Sequence, residues 1–101
     1  MNQKVFGRLR IVFGRREVYV DDREIKLPPK EYELLRCLAA NPDSDFTTER
    51  LYGAVWGNDQ CGDLKTVAVH IRRLRNKVET DPSRPRHIQT RPGRGYRFVP
   101  G

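Results

Sequence analysis

Leu64-Lys65-Thr66-Val67-Ala68-Val69-His70-Ile71-Arg72-Arg73-Leu74-Arg75-Asn76-Lys77-Val78 is the stretch from which the rest of the chain can be read. Laid on a helix at about 100° per residue, it separates into two faces. Val67, Ile71, Leu74 and Val78 form a narrow stripe at i, i+4, i+7 and i+11, the pattern a helix needs to dock on a core. The opposite face carries Lys65, Val69, Arg72, Arg73 and Asn76. A merely solvated face would interleave glutamates for i,i+4 pairs, and this one has none before Glu79. A cationic face with one apolar side chain near its middle suits a helix laid against a polyanion.

The charge of the whole chain agrees. Its 101 residues make one small domain, residues 1–101, with 37% hydrophobic content and nine aromatics to supply a modest core. The net charge is +7. From Met1 to Cys61 ten basic residues balance ten acidic ones; from Gly62 onward ten basic residues face only Asp63, Glu79 and Asp81. The entire excess therefore sits in the last forty residues, around the cationic helix, as expected of a nucleic-acid footprint. A membrane surface fits less well, because the helix lacks rim Trp, Phe or Leu. No apolar run approaches the length of a membrane span and no signal-peptide pattern follows Met1, so neither insertion nor export is indicated. Cys37, Cys61, His70 and His87 form no CxxC or HxxxH pairing, so no metal site and no cofactor is expected. Two such thiols give no disulfide framework, in keeping with a reducing cytoplasm.

Taken in order, residues 1–27 read as short antiparallel strands: 9–13, a turn at 14–16, 17–20, a turn at 21–24, then 25–27. Pro28-Pro29 stops the last strand, and Pro29 fits the first turn of a helix over about residues 30–40 that buries Tyr32, Leu35, Leu38 and Ala39. Cys37 falls in the same run as a small core residue. A second helix starts at Thr47 as N-cap and ends at Trp56-Gly57, with Leu51, Ala54 and Val55 packing inward. A polar loop follows, and Asp63 is a suitable N-cap for the third helix, about residues 64–79. The three-helix core thus spans 28–80. After a proline-stiffened connector, residues 86–99 alternate on either side of a glycine-rich tip and predict a hairpin anchored by Ile88, Tyr96 and Phe98, with Arg91 and Arg94 near its tip.

An α+β chain of sheet, three helices and basic hairpin is a winged helix-turn-helix. Four segments resemble one family closely: Leu27-Pro28-Pro29-Lys30-Glu31-Tyr32-Glu33-Leu34-Leu35, Leu51-Tyr52-Gly53-Ala54-Val55-Trp56-Gly57, Thr66 through Val78, and Ile88-Gln89-Thr90 with Gly93-Arg94-Gly95-Tyr96-Arg97-Phe98. In that order they resemble the OmpR/PhoB-type DNA-binding effector domain of bacterial two-component response regulators. The resemblance implies an N-terminal four-stranded antiparallel sheet, a three-helix core and a C-terminal hairpin wing. It implies sequence-specific binding of double-stranded DNA for transcriptional regulation, the third helix in the major groove and the wing on a minor groove, with two copies in tandem on direct repeats. It also implies a loop that touches RNA polymerase, here Asn58, Asp59, Gln60 and Cys61. An upstream receiver domain, the phosphorelay partner of such domains, is not contained in this chain, so an excised effector domain is favoured over a stand-alone protein.

Residue by residue, the resemblance places Arg73 where base edges are reached; a guanidinium bonds guanine O6 and N7 together. Lys65 and Arg72 suit phosphate clamps or base readers, with Thr66 beside them and Asn76 reaching the backbone. Val69 packs on thymine methyls or is a tolerated exposed side chain. His70 approaches phosphate or is a partly buried structural residue. Trp56 buries its ring while offering its indole N–H, Thr47 caps a helix and neighbours phosphate, and Thr90 and Tyr96 contact DNA from the wing, where Tyr96 alternatively anchors the hairpin.

Three positions depart from the family pattern. Ala68 replaces a frequent acid, Pro28 replaces the usual Thr before the first helix, and Pro92 stands where a minor-groove arginine is common, leaving Arg91 or Arg94 to supply it. An enzyme is not expected, since no nucleophile–base–acid set, phosphate loop or metal spacing is present. The remaining alternative is a winged helix that recognises protein or RNA; a single-strand RNA reader would carry stacking aromatics, and the exposed face of the third helix has none.

Overall fold

Tight reversals build the N-terminal sheet. In the computed structural model, which describes residues 2–57 and 63–101, strands β1 (Gln3–Phe6), β2 (Leu9–Val12), β3 (Glu17–Val20) and β4 (Arg23–Ile25) pair antiparallel in sequence order. Val20 opposite Arg23 leaves only Asp21-Asp22 to turn the chain, and both sit at positive φ, 52° and 63°, as a two-residue hairpin turn requires. The turn expected over residues 21–24 is thus shorter, because two aspartates tolerate the left-handed region and release Arg23 and Glu24 to pairing. Leu27 lies past the last strand, and the strand expected through Phe13 ends at Val12, where a 3-10 turn, Phe13–Arg15, begins. Phe6, Leu9, Ile11 and Val18 point inward and cover the helices.

Helix α1 (Pro29–Ala39) opens on Pro28 with no side-chain cap, and buries Tyr32, Leu35, Leu38 and Ala39 as expected. Cys37 is half-buried at its flank. Glu31 is also buried, only 2% exposed, with Oε1 accepting from Lys77 Nζ at 2.6 Å. Losing Lys77 would strand the buried carboxylate.

A two-residue strand, β5 (Asp45–Phe46), precedes α2 (Thr48–Trp56), whose N-cap Thr47 accepts the Arg50 N–H at 3.1 Å. Leu51 is buried and Val55 half-buried, but Ala54 is exposed, contrary to the sequence expectation. The half-buried aromatics Tyr52 and Trp56 pack on the core in its place and turn the helix so that Ala54 faces out. Asp63 fastens α3 (Lys65–Val78): its Oδ1 accepts the Lys65 N–H at 2.9 Å and its carbonyl accepts that of Thr66, also at 2.9 Å. The whole stripe of Val67, Ile71, Leu74 and Val78 is buried.

Strands β6 (Ile88–Arg91) and β7 (Gly95–Phe98) form the wing, and β7 also pairs with β5, giving the order β5-β7-β6. The molecule is a winged helix: antiparallel sheet, three helices and a C-terminal hairpin wing. The third strand exists because Gly95 lets it approach. A Cβ built there would lie 1.9 Å from the Phe46 carbonyl oxygen, and its φ is +98°. Gly95→Ala is expected to cost about 3 kcal/mol or more, lowering the thermal midpoint on the order of 15 °C. Gly93→Ala, at φ +74° but in open space, should cost only about 1 kcal/mol. Parallel melting curves check the contrast; equal shifts would show that the strand crossing is not what demands glycine.

Candidate nucleic-acid interface

Helix α3 sorts its cations by direction. Lys65, Ala68, Val69, Arg72, Arg73 and Asn76 are all exposed, and Val69 shows 45% of its surface. Among the described residues, Lys65, Arg72 and Arg73 have no acidic partner. The two cations on the inward side are both engaged. Lys77 holds Glu31, while Arg75 donates from Nε to the Ile88 carbonyl at 2.9 Å and from a terminal nitrogen to Thr90 Oγ1 at 2.8 Å. Burial of the Arg75 guanidinium against the wing pulls its proton affinity below that of a solvated arginine.

At the flank of this face, His70 Nδ1 lies 2.8 Å from the Thr66 carbonyl and 3.2 Å from its Oγ1. A carbonyl only accepts, so Nδ1 carries the proton and Nε2 can donate to an anion only in the imidazolium form. Edge-on to His70 stands Trp56, 5.1 Å between centroids at 81°, and Trp56 in turn stacks on Tyr52 at 5.4 Å and 8°. Thr66, His70 and Trp56 are all half-buried, so they form a row bridging α2 and α3 instead of isolated surface groups. Thr47 is exposed; its hydroxyl already serves as cap acceptor and keeps its own proton to donate.

The wing has two unlike faces. Ile88, Thr90, Tyr96 and Phe98 share the side that meets the core and α3. Thr90 is exposed but accepts from Arg75, and the Arg75 guanidinium lies 5.8 Å from the Tyr96 ring centre, so Tyr96 is at least the hairpin anchor that the alternative reading gave it. On the other side Asp45, opposite Arg97 in the sheet, draws three arginines. Arg97 Nε donates to its Oδ1 at 2.7 Å; Arg91 Nε lies 3.6 Å from the same oxygen, and an Arg94 terminal nitrogen 3.7 Å from Oδ2. Arg91 reaches across from opposite Gly95, which has no side chain to block it. Arg91 Nε is buried and makes no hydrogen bond among the described residues. Asn58, Asp59, Gln60 and Cys61, the expected polymerase loop, lie outside the described residues.

Arg75, Glu79 and Asp45 did not stand out in the sequence, although all three organise this surface. Glu79, the first residue after α3, is buried and accepts backbone N–H groups from Arg86 at 2.8 Å, His87 at 3.1 Å and Ile88 at 2.8 Å. The one available signal was Glu79 itself, an acid at a helix C-terminus, where the dipole disfavours it.

Residues 22–98 match the family described as transcriptional regulatory protein, C terminal. The chain belongs to that family, of OmpR/PhoB type. Among relatives, it is 44% identical over 92 residues to the sensory transduction protein RegX3 of Mycobacterium leprae, covering 91% of this chain and 46% of that protein. The fold matches that of the response regulator DrrB, an OmpR/PhoB homologue from Thermotoga maritima, with TM-score 0.90 and 36% identity over 97% of this chain and 44% of DrrB. It also matches the Klebsiella pneumoniae RstA DNA-binding domain, solved in complex with the RstA box, with TM-score 0.87 and 26% identity over 100% of both chains. The chain spans less than half the length of the curated relatives it matches.

The Arg97 guanidinium, hydrogen-bonded to Asp45, holds that carboxyl below the usual carboxylate range, and Arg91 and Arg94 add to the effect. A folded-state value below the unfolded one contributes stability at higher pH, lost as pH falls through the folded value. Asp45→Asn should therefore lower the melting temperature at neutral pH, and the gap to wild type should close as pH drops below the carboxylate range. Thermal melts across pH check this; a gap that widens in acid would contradict it.

Proposed function

We propose that the chain is the effector domain of a bacterial two-component response regulator, acting in the cytoplasm, that binds double-stranded DNA sequence-specifically to regulate transcription. The observation that carries the reading is the division of cations on α3: inward ones are engaged, while Lys65, Arg72 and Arg73 stand without acidic partners among the described residues, around exposed Val69. A helix of this width fits the major groove, where Arg reads guanine and an aliphatic side chain meets the thymine methyl. Lys65, Arg72, Asn76 and the row of Thr66, His70 and Trp56 serve phosphate and register; Thr47 caps α2 and adds a donor at the same edge. The wing carries Arg91 and Arg94 to the adjacent minor groove, with Thr90 and Tyr96 supporting it from the helix-facing side.

Two copies bind in tandem on direct repeats, an upstream receiver domain controls their assembly, and residues 58–61 meet RNA polymerase. The chain performs no catalysis in this reading. No helix among the described residues is long and apolar enough to cross a membrane.

Arg73→Ala should weaken cognate binding by about 1–3 kcal/mol and relax preference at one base position. Arg72→Ala should weaken all duplexes alike and reduce the slope of log K against log salt by about 0.9. Salt-series titrations on cognate and single-base-changed duplexes distinguish them. If Arg73→Ala weakens every duplex equally, Arg73 touches phosphate and the base-reading assignment is wrong.

A further inference from the structure

The wing tip raises a question the major-groove reading leaves open: why a DNA-facing hairpin keeps a carboxylate among its arginines. Asp45 has only 21% of its side chain exposed and lies opposite Arg97 across β5 and β7, so its position is set by the backbone register. Its three partners are not equivalent. Arg97, 26% exposed, is hydrogen-bonded to Oδ1 at 2.7 Å. Arg91 approaches the same oxygen to 3.6 Å with its Nε buried. Arg94, 68% exposed in the turn between the strands, faces Oδ2 at 3.7 Å, inside ion-pair range but beyond a hydrogen bond. One carboxylate thus has one hydrogen-bonded partner, Arg97, and two held only at ion-pair distance, of which Arg91 is the more buried and Arg94, at the tip, the more exposed.

We propose that Asp45 is a specificity-determining positioning residue: it restrains Arg94 so that the arginine is presented to the groove of a matching site and withheld from phosphates elsewhere. This rests on the reading of the wing as a DNA contact. An unrestrained guanidinium at a tip binds any phosphate within reach, which strengthens non-specific affinity without adding sequence information. A carboxylate at 3.7 Å competes with that diffuse attraction. It yields where the groove offers Arg94 a better-shaped set of acceptors, as a narrow A·T-rich minor groove does. Arg97 keeps the carboxylate in place when Arg94 leaves. The acid acts through Arg94 and touches no base itself.

A double-mutant cycle tests this on the chain as it exists, with a cognate duplex obtained by selection and a scrambled duplex of equal length, titrated over a salt series. D45N should raise affinity for the scrambled duplex about two- to five-fold, the range of an exposed ion pair, and steepen its salt slope by up to about 0.9. The ratio of cognate to scrambled affinity should fall by a similar factor. In an R94A background the same substitution should leave that ratio unchanged. The same Asp45→Asn change is made in both backgrounds of the cycle, so a general loss of stability cancels. D45E, which keeps the charge, should keep the wild-type ratio. A D45N effect of equal size with and without Arg94 overturns the proposal, since the acid would then act only as bulk charge. So does a D45E ratio reduced as far as that of D45N. If R94A changes neither cognate nor scrambled binding, the wing reading itself fails and Asp45 loses its role with it.

Discussion

The geometry of this molecule depends on one carboxylate. Glu79 leaves the C-terminal end of α3 and takes the backbone N–H groups of Arg86, His87 and Ile88, where the wing begins. The helix dipole disfavours an acid there, and the three amide donors satisfy the buried carboxylate oxygens. Arg75, one turn earlier on α3, adds a second tie through the Ile88 carbonyl and Thr90. His87 completes the seam: its Nδ1–H donates to the Val99 carbonyl at 2.8 Å, and its ring stacks on Phe98. Helix α3 and the wing are joined as one piece, so their spacing is set before any ligand arrives. Such preorganisation reduces what must be ordered on binding.

That clamp explains the allocation of charge. The sequence places ten cations in its last forty residues, but they do not form one undifferentiated footprint. Lys77 neutralises Glu31 beneath α1, Arg75 braces the wing, and Arg97 holds Asp45. What remains presented on α3 is a short row, Lys65, Arg72 and Arg73, around an apolar side chain. A general polyanion binder would gain from exposing all of them. Committing Lys77, Arg75 and Arg97 to internal architecture makes sense for a surface that must hold a particular shape.

The stripe of Val67, Ile71, Leu74 and Val78 was legible in the sequence because burial on one side of a helix repeats every turn, and the exposed set followed as its complement. Thr47 and Asp63 were legible because capping is local chemistry. Glu31, Asp45 and Glu79 were not: each is an acid whose partner lies far off in sequence, Lys77, Arg97 and residues 86–88 respectively. A two-residue strand such as β5 has no period to detect, and only the approach of its backbone to Gly95 reveals it. Ala54 was misplaced for a related reason. The pattern of small and apolar residues pointed it inward, whereas Tyr52 and Trp56 win that side by the larger area they bury.

The central claim is that α3 and the wing read duplex DNA together at a fixed separation. Selection of bound duplexes from a random-sequence pool tests it most directly. The account predicts a block of base preference matching the major-groove face of α3, with an A·T preference at a constant offset where the wing meets the minor groove. The unit should recur in the same orientation about one helical turn away. Recovery of no common sequence, or of blocks whose offset varies freely from clone to clone, would contradict it.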